Sequence, residues 1–115
     1  MALNKSQKVL VTGATGYLGA HVTRTLLKQT QATIIGTSTQ VEWKGAKLRQ
    51  TFEEDESMDG HYDIDRLDLM ECDMLQDDEC YYKAVMETKP DYVIHTAAPF
   101  MTDVVSSDQE SVKRV

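Results

Sequence analysis

Positive charge is in short supply in this sequence. Lys and Arg together number 12 against 19 Asp and Glu, a formal net charge of −7 at pH 7. A chain of that sign is repelled by a phosphate backbone and by an anionic bilayer, which argues against nucleic-acid binding and against adhesion to such a membrane. Long apolar runs are missing too, and none approaches the roughly 20 residues of a membrane-spanning helix. The start, Met1-Ala2-Leu3-Asn4-Lys5, carries a charge but no following apolar stretch of the kind a secretion signal has. Cysteine is limited to Cys72 and Cys80, whose spacing is neither that of a metal site nor that of a redox Cys-x-x-Cys motif. The two read as ordinary reduced thiols, which points to a cytoplasmic setting, and no metal site is expected. Internal repeats and low-complexity segments are absent.

What is present suits one globular domain: 115 residues, 41% hydrophobic and 27% charged. Lys8-Val9-Leu10-Val11 has the length and β-branching of a buried parallel strand. After a glycine-rich turn, the spacing predicts a helix over Tyr17 to Gln29, with Leu18, Val22, Leu26 and Leu27 on one face. Ala32 to Gly36 is the second strand, so strand, turn, helix and strand form one βαβ unit. Trp43 to Gln50 suits a helix with Trp43, Ala46 and Lys47 on related faces, and the acidic run Glu53-Glu54-Asp55-Glu56 reads as a solvated loop or helix end. Leu67-Asp68-Leu69 alternates like a strand. Asp77 to Thr88 suits a helix capped by Asp77 or Asp78, with Ala84, Val85 and Thr88 on one side, and Lys89-Pro90-Asp91 ends it. Tyr92-Val93-Ile94-His95 is a fourth strand. The tail from Asp103 is polar, and Ser106 to Glu110 offers caps for a helix that has barely begun at Val115. Strands alternating with helices predict an α/β fold, a parallel sheet with helices on both faces, in the order 3-2-1-4.

The sharpest local signal is Val9-Leu10-Val11-Thr12-Gly13-Ala14-Thr15-Gly16-Tyr17-Leu18-Gly19, with glycines spaced G-x-x-G-x-x-G. Gly13 would allow a tight exit from the strand. Gly16 would let a pyrophosphate approach the backbone, and Gly19 would let the helix pack closely on the sheet. The helix N-terminus adds unpaired N–H groups and a positive dipole end. The end of the second strand, Gly36-Thr37-Ser38-Thr39-Gln40, has no acid before Glu42. An NAD site usually places a carboxylate there for the ribose hydroxyls. Hydroxyls at Ser38 and Thr39, with Lys44 or Lys47 nearby, suit a 2′-phosphate instead. NADP is therefore the expected cofactor and NAD the alternative.

The glycine turn, together with Val93-Ile94-His95-Thr96-Ala97-Ala98-Pro99-Phe100, resembles the extended short-chain dehydrogenase/reductase superfamily, the NAD-dependent epimerase/dehydratase-like group. It is most similar to the branch of dihydroflavonol, cinnamoyl-CoA and methylglyoxal reductases. The resemblance runs from Lys8 to about Phe100 and implies a Rossmann-type sheet, truncated after about the fourth strand. It implies cofactor contacts from Gly13, Thr15, Gly16, Tyr17, Leu18 and Gly19 in the glycine turn, with Tyr17 and Leu18 offering backbone N–H groups. Asp73, followed by Met74, matches an Asp-hydrophobic pair whose carboxylate accepts from the adenine amino group. Thr96, Ala97 and Ala98 match the loop beside the nicotinamide ribose. His95 reads as a packed or supporting residue.

Members of this superfamily carry out their chemistry with a Ser or Thr and a Tyr-x-x-x-Lys motif, in which the Lys lowers the pKa of the Tyr acid. Four residues after Tyr17, Tyr62, Tyr81, Tyr82 and Tyr92 stand His21, Arg66, Val85, Met86 and Thr96, never Lys. No catalytic residue is therefore assigned. The expected function is the dinucleotide-binding portion of an oxidoreductase that transfers hydride from NADPH to a small ketone or aldehyde. The alternatives are a non-catalytic nucleotide-binding or structural subunit, or part of a sugar-nucleotide epimerase/dehydratase. A strand over Tyr92 to Thr96 with no neighbour on its outer side would be an open edge, so a second copy or a partner chain is expected to cover it.

Overall fold

Four short runs with the apolar, β-rich character of buried strands pair side by side, and helices return the chain between them. The computed structural model describes residues 3–55 and 63–97. The strands are β1 (Lys8–Thr12), β2 (Thr33–Ser38), β3 (Leu67–Glu71) and β4 (Tyr92–His95), all parallel, in the order β3-β2-β1-β4. The helices are α1 (Tyr17–Gln29), α2 (Ala46–Glu54) and α3 (Cys80–Thr88). A short π-helical turn, Val41–Gly45, leads into α2, and a 3-10 turn, Ile64–Arg66, leads into β3. The expected parallel sheet and strand order are those observed. The calls on residues 56–62 and from Ala98 onward lie outside the described residues.

Residues alternate across the sheet, so each strand feeds two cores. Val9, Val11, Ile34 and Leu67 pack with Leu27 of α1 and with Leu48 and Phe52 of α2, and Val22, Leu26 and Leu69 close the rim. Leu10 and Ile35 point the other way, where Ala84 of α3 and the partly buried Met70 meet them. β2 runs two residues past its expected end, to Ser38, because Thr37 and Ser38 continue the register against Met70 and Glu71. Gly36 sits inside that strand for packing: a Cβ there would lie 2.6 Å from the Ala14 Cβ and 2.9 Å from Leu69 Cδ2.

Several local expectations are corrected by tertiary contacts. Leu18 is 60% exposed, because the buried face of α1 begins at Gly19 and continues through Thr23 and Leu27. In α2 the buried residues are Leu48 and Phe52, and Trp43, Ala46 and Lys47 face outward. α3 starts at Cys80, three residues later than expected, because Asp77 bends the preceding segment: its carboxylate accepts from the Glu79 N–H at 3.1 Å. Lys89 ends α3 in the left-handed region, φ 48°. The acidic run does end α2, with Glu53 and Glu54 exposed, but Asp55 pairs with Arg24 of α1 at 2.8 Å.

The largest correction concerns sulfur. Cys72 and Cys80 are joined as a disulfide with Cα atoms 5.4 Å apart, and both are buried. The turn after β3 brings the first residue of α3 back onto the strand's end. A reading of spacing alone cannot see that return.

Two ties fix the lower end of the sheet. The Lys8 N–H donates to the Asp91 carboxylate and the Asp91 N–H to the Lys8 carbonyl, each at 2.8 Å. Arg66 donates to the Ala32 and Leu27 carbonyls at 2.8 and 2.5 Å, closing the C-terminal end of α1. Burial pulls the Arg66 guanidinium below its ordinary pKa, and Asp63 partly offsets this.

Candidate dinucleotide site

The carboxyl ends of the strands gather most of the residues singled out in the sequence along one rim. At β1 the chain leaves through Gly13 at φ +68°, a left-handed conformation that costs a side-chain-bearing residue roughly 1–2 kcal/mol. A Cβ at Gly13 would also lie 3.0 Å from the Ala97 Cα, so this glycine lets the exits of β1 and β4 touch. At Gly19 a Cβ would lie 1.9 Å from the Gly13 carbonyl oxygen, a distance no side chain tolerates. This glycine seats α1 on the turn. Gly16 is different. Its Cβ would meet the Gly13 oxygen at 3.3 Å and nothing else within 4 Å, so it faces open space at the N-terminus of α1. No side chain caps that helix and no acid stands in its first turn. Positive backbone N–H groups are thus presented to solvent, flanked by the exposed Tyr17 and Leu18.

Threonines, unremarkable in the sequence, hold this turn. The Thr37 side chain accepts from the Gly13 N–H at 2.9 Å, and the Thr37 carbonyl accepts from the Ala14 N–H at 2.8 Å. Thr12, 2% exposed, accepts through its hydroxyl oxygen from the Thr96 N–H at 3.0 Å and the Ala97 N–H at 3.2 Å. Its single proton therefore goes to His95 Nδ1, 2.7 Å away, which leaves the imidazole proton on Nε2. The Thr96 hydroxyl returns a bond to the Thr12 carbonyl at 2.5 Å. His95 is thereby occupied in joining β4 to β1, and its ring also meets Tyr81 edge-on at 5.5 Å. A signal for Thr12 and Thr37 did exist: a hydroxyl inside a buried apolar strand must find a partner.

Beyond β2, hydroxyls collect. Thr15 and Ser38 share a hydrogen bond at 2.9 Å, and Lys44 donates to the Thr39 hydroxyl at 2.9 Å. The Lys44 ammonium also lies 5.7 Å from the centre of the Trp43 ring, and the Trp43 indole N–H donates to Gln40. Lys47 lies on the exposed side of α2, with no such neighbour among the described residues. Past β3, Asp73 accepts from the Leu75 N–H at 3.0 Å, and Met74 is 49% exposed. Tyr81 is shifted above its ordinary pKa, first by burial and then by the charge of Asp73. Of the sequence candidates, Gly13, Thr15, Gly16, Tyr17, Leu18, Gly19, Ser38, Thr39, Lys44, Asp73, Met74, Thr96 and Ala97 lie along this edge. Ala98 falls outside the described residues.

The fit to a dinucleotide can be judged from the cradle itself. A side chain at Gly16 would project past the Gly13 oxygen into open space at the N-terminus of α1, and the hydroxyls of Thr15, Ser38 and Thr39 lie by the exit of β2. No group of three or more His, Cys, Asp or Glu able to hold a metal occurs among the described residues, and no helix there is long and apolar enough to cross a membrane.

Comparison with known proteins gives three results. The family model described as "NAD dependent epimerase/dehydratase family" matches residues 9–113. No curated protein matches the chain. Among solved structures, the PbgP3 protein from Burkholderia pseudomallei superposes with a TM-score of 0.60 at 21% identity, over 92% of this chain and 30% of that one. That likeness is one of fold, and the chain spans under a third of the neighbour's length.

Proposed function

The chain belongs to the NAD dependent epimerase/dehydratase family, and from that membership we propose that it is the dinucleotide-binding portion of an oxidoreductase using NADPH. The family implies a nicotinamide dinucleotide. The cradle at Gly16, open to solvent above an uncapped helix N-terminus, is the observation that carries the assignment. In this reading Gly16, whose own N–H is taken by the Gly13 carbonyl at 3.0 Å, lets the pyrophosphate approach, and Tyr17 and Leu18 receive it through backbone N–H groups. Ser38, Thr39 and Lys44 receive the adenosine ribose and its 2′-phosphate, and Asp73 faces the adenine. Thr96 and Ala97, pinned by Thr12, form the wall beside the nicotinamide ribose. When bound, the dinucleotide would supply the hydride.

Reduction of a small ketone or aldehyde is the substrate class we favour, on the resemblance of the segment from Val93 to Phe100 to carbonyl reductases. A sugar-nucleotide epimerase or dehydratase is the second reading, and it fits the description of the matching family no worse. Both need an acid–base pair that the described residues do not provide. The edge strand Tyr92–His95, with Tyr92 44% and Val93 49% exposed, belongs to the same proposal: a second copy or a partner chain covers it.

Calorimetric titration with NADPH and NADH tests the assignment. NADPH should bind more tightly than NADH, and Gly16→Val should abolish binding of both while the chain stays folded, because the new side chain meets only the Gly13 oxygen, 3.3 Å from its Cβ, and otherwise open space. Absence of binding to either dinucleotide by the folded chain would overturn it.

A further inference from the structure

The disulfide encloses one segment, residues 73–79, which carries the candidate adenine contacts Asp73 and Met74. Cys72 directly follows β3 and its N–H donates to the Ser38 carbonyl at 2.9 Å, so one sulfur is anchored to the strand whose hydroxyls line the cradle. Cys80 opens α3. Between them, hydrogen bonds to described residues stay local. The Asp73 side chain accepts from Leu75, its carbonyl from Gln76 and Asp77, and Asp77 accepts from Glu79, Cys80 and Lys83. Leu75 is 95% exposed. No strand pairing extends past Glu71. Among the described residues the S–S bond is thus the covalent tie that closes this segment, whose ends are otherwise held by the Cys72–Ser38 hydrogen bond and by the packing of α3 on the sheet. Ligands in open α/β sheets bind outside the carboxyl ends of the strands. With the pyrophosphate at β1 and the ribose at β2, the exit of β3 is the next position along the rim.

We propose that the Cys72–Cys80 bridge is a redox-controlled element of the dinucleotide site, holding the Asp73–Glu79 segment in its binding position when oxidised and releasing it when reduced. This rests on the dinucleotide reading given above. In the switching step a dithiol reductant supplies two electrons and two protons. The S–S bond breaks, Cys72 and Cys80 become thiols, and the reductant closes to its own disulfide. The segment then keeps only its local bonds, and ordering it on binding costs conformational entropy. Coupling is reciprocal, so a bound dinucleotide must stabilise the bridge by the same factor.

The test is calorimetric titration of NADPH, NADH and the adenylate fragment 2′,5′-ADP into the oxidised chain, the chain reduced with dithiothreitol, and the Cys80→Ser variant. Reduction should weaken NADPH and 2′,5′-ADP by about tenfold, within the usual range of coupling between sites. Cys80→Ser should match the reduced chain and ignore dithiothreitol. Saturating NADPH should lower the midpoint potential of the bridge by about 30 mV, the equivalent of tenfold for a two-electron couple. Equal affinities in both redox states would overturn this proposal and leave the dinucleotide site standing. Loss of far-UV circular dichroism on reduction would also overturn it, making the bridge a staple of the fold. Failure of the folded oxidised and reduced chains alike to bind any of the three ligands would overturn the dinucleotide reading and this proposal with it.

Discussion

On one face of the sheet, α1 and α2 bury Val9, Val11, Ile34 and Leu67 beneath Leu27, Leu48 and Phe52; on the other, among the described residues, Ala84 of α3 and the partly buried Met70 meet Leu10 and Ile35. The first face is continuous from β4 to β3, with Ile94 and Leu69 at its rim. On the second, Val93 stands beside the fully buried Leu10 yet is 49% exposed, and Asp68 stands beside Ile35 and is exposed. The same strands serve both faces, so strand composition does not explain the contrast. It follows from connectivity. The two crossovers through α1 and α2 run outward from β1 to β3 and lie on one side. The single crossover from β3 back past β1 to β4 lies on the other. The second face also carries the disulfide and the Asp77–Lys83 pair, covalent and ionic ties where apolar contact is thin.

A pair of truncations breaks the comparison most directly. Leu27→Ala, in the fully buried first core, should cost about 3 kcal/mol in urea denaturation, as deletions at closed sites do. Val93→Ala on the second face should cost less than about 1 kcal/mol, since half its surface is already in water. Equal costs would mean that the second face is covered in solution by a partner or a second copy. Thr23 sharpens the contrast from the other direction. It is fully buried in α1, and its hydroxyl has no hydrogen-bond partner among the described residues. Thr23→Val should raise stability by about 1 kcal/mol, by removing an unpaired buried hydroxyl at nearly constant volume. A loss of stability in thermal melts would show that the hydroxyl does find a partner.

The smallest effect is electrostatic. Hydrogen bonding from Lys83, then from the Glu79 N–H, holds the Asp77 carboxyl below its ordinary pKa, and the same pair raises Lys83. A depressed carboxylate pKa contributes stability above the unfolded value and loses it as pH falls through the folded one. The contribution should therefore be present at neutral pH and fade below about pH 4. Asp77→Asn should melt slightly lower than the parent at pH 7, with the gap narrowing as pH falls below about 4. A gap undiminished at low pH would assign the effect to the turn geometry and not to charge. The pair is exposed, so the gap should be small.

Much of the rim was legible before the fold was known, and the reason is locality. Gly13, Gly16 and Gly19 lie within seven residues of sequence; Gly13 makes a left-handed exit and Gly19 a close helix contact, while Gly16 borders open space at the start of α1. Thr12 and Thr37 were passed over because their partners, Ala97 and Gly13, lie far along the chain. The outward-facing Leu18 and Trp43 misled for a related reason. Periodicity says that a helix has an apolar side, but the neighbours it packs against choose the side.

The sequence by itself determined the alternation of strand and helix, the glycine turn, both ends of α1, the C-terminal end of α3 and the family, because each rests on residues adjacent in the chain or on a pattern carried along it. Only the tertiary structure decided that Cys72 and Cys80 are bonded, that Thr12 spends its proton on His95, that Arg66 closes the end of α1, and that, among the described residues, one face is better covered than the other. Those outcomes depend on register and on the side to which each crossover turns, and both are fixed only when distant strands pair.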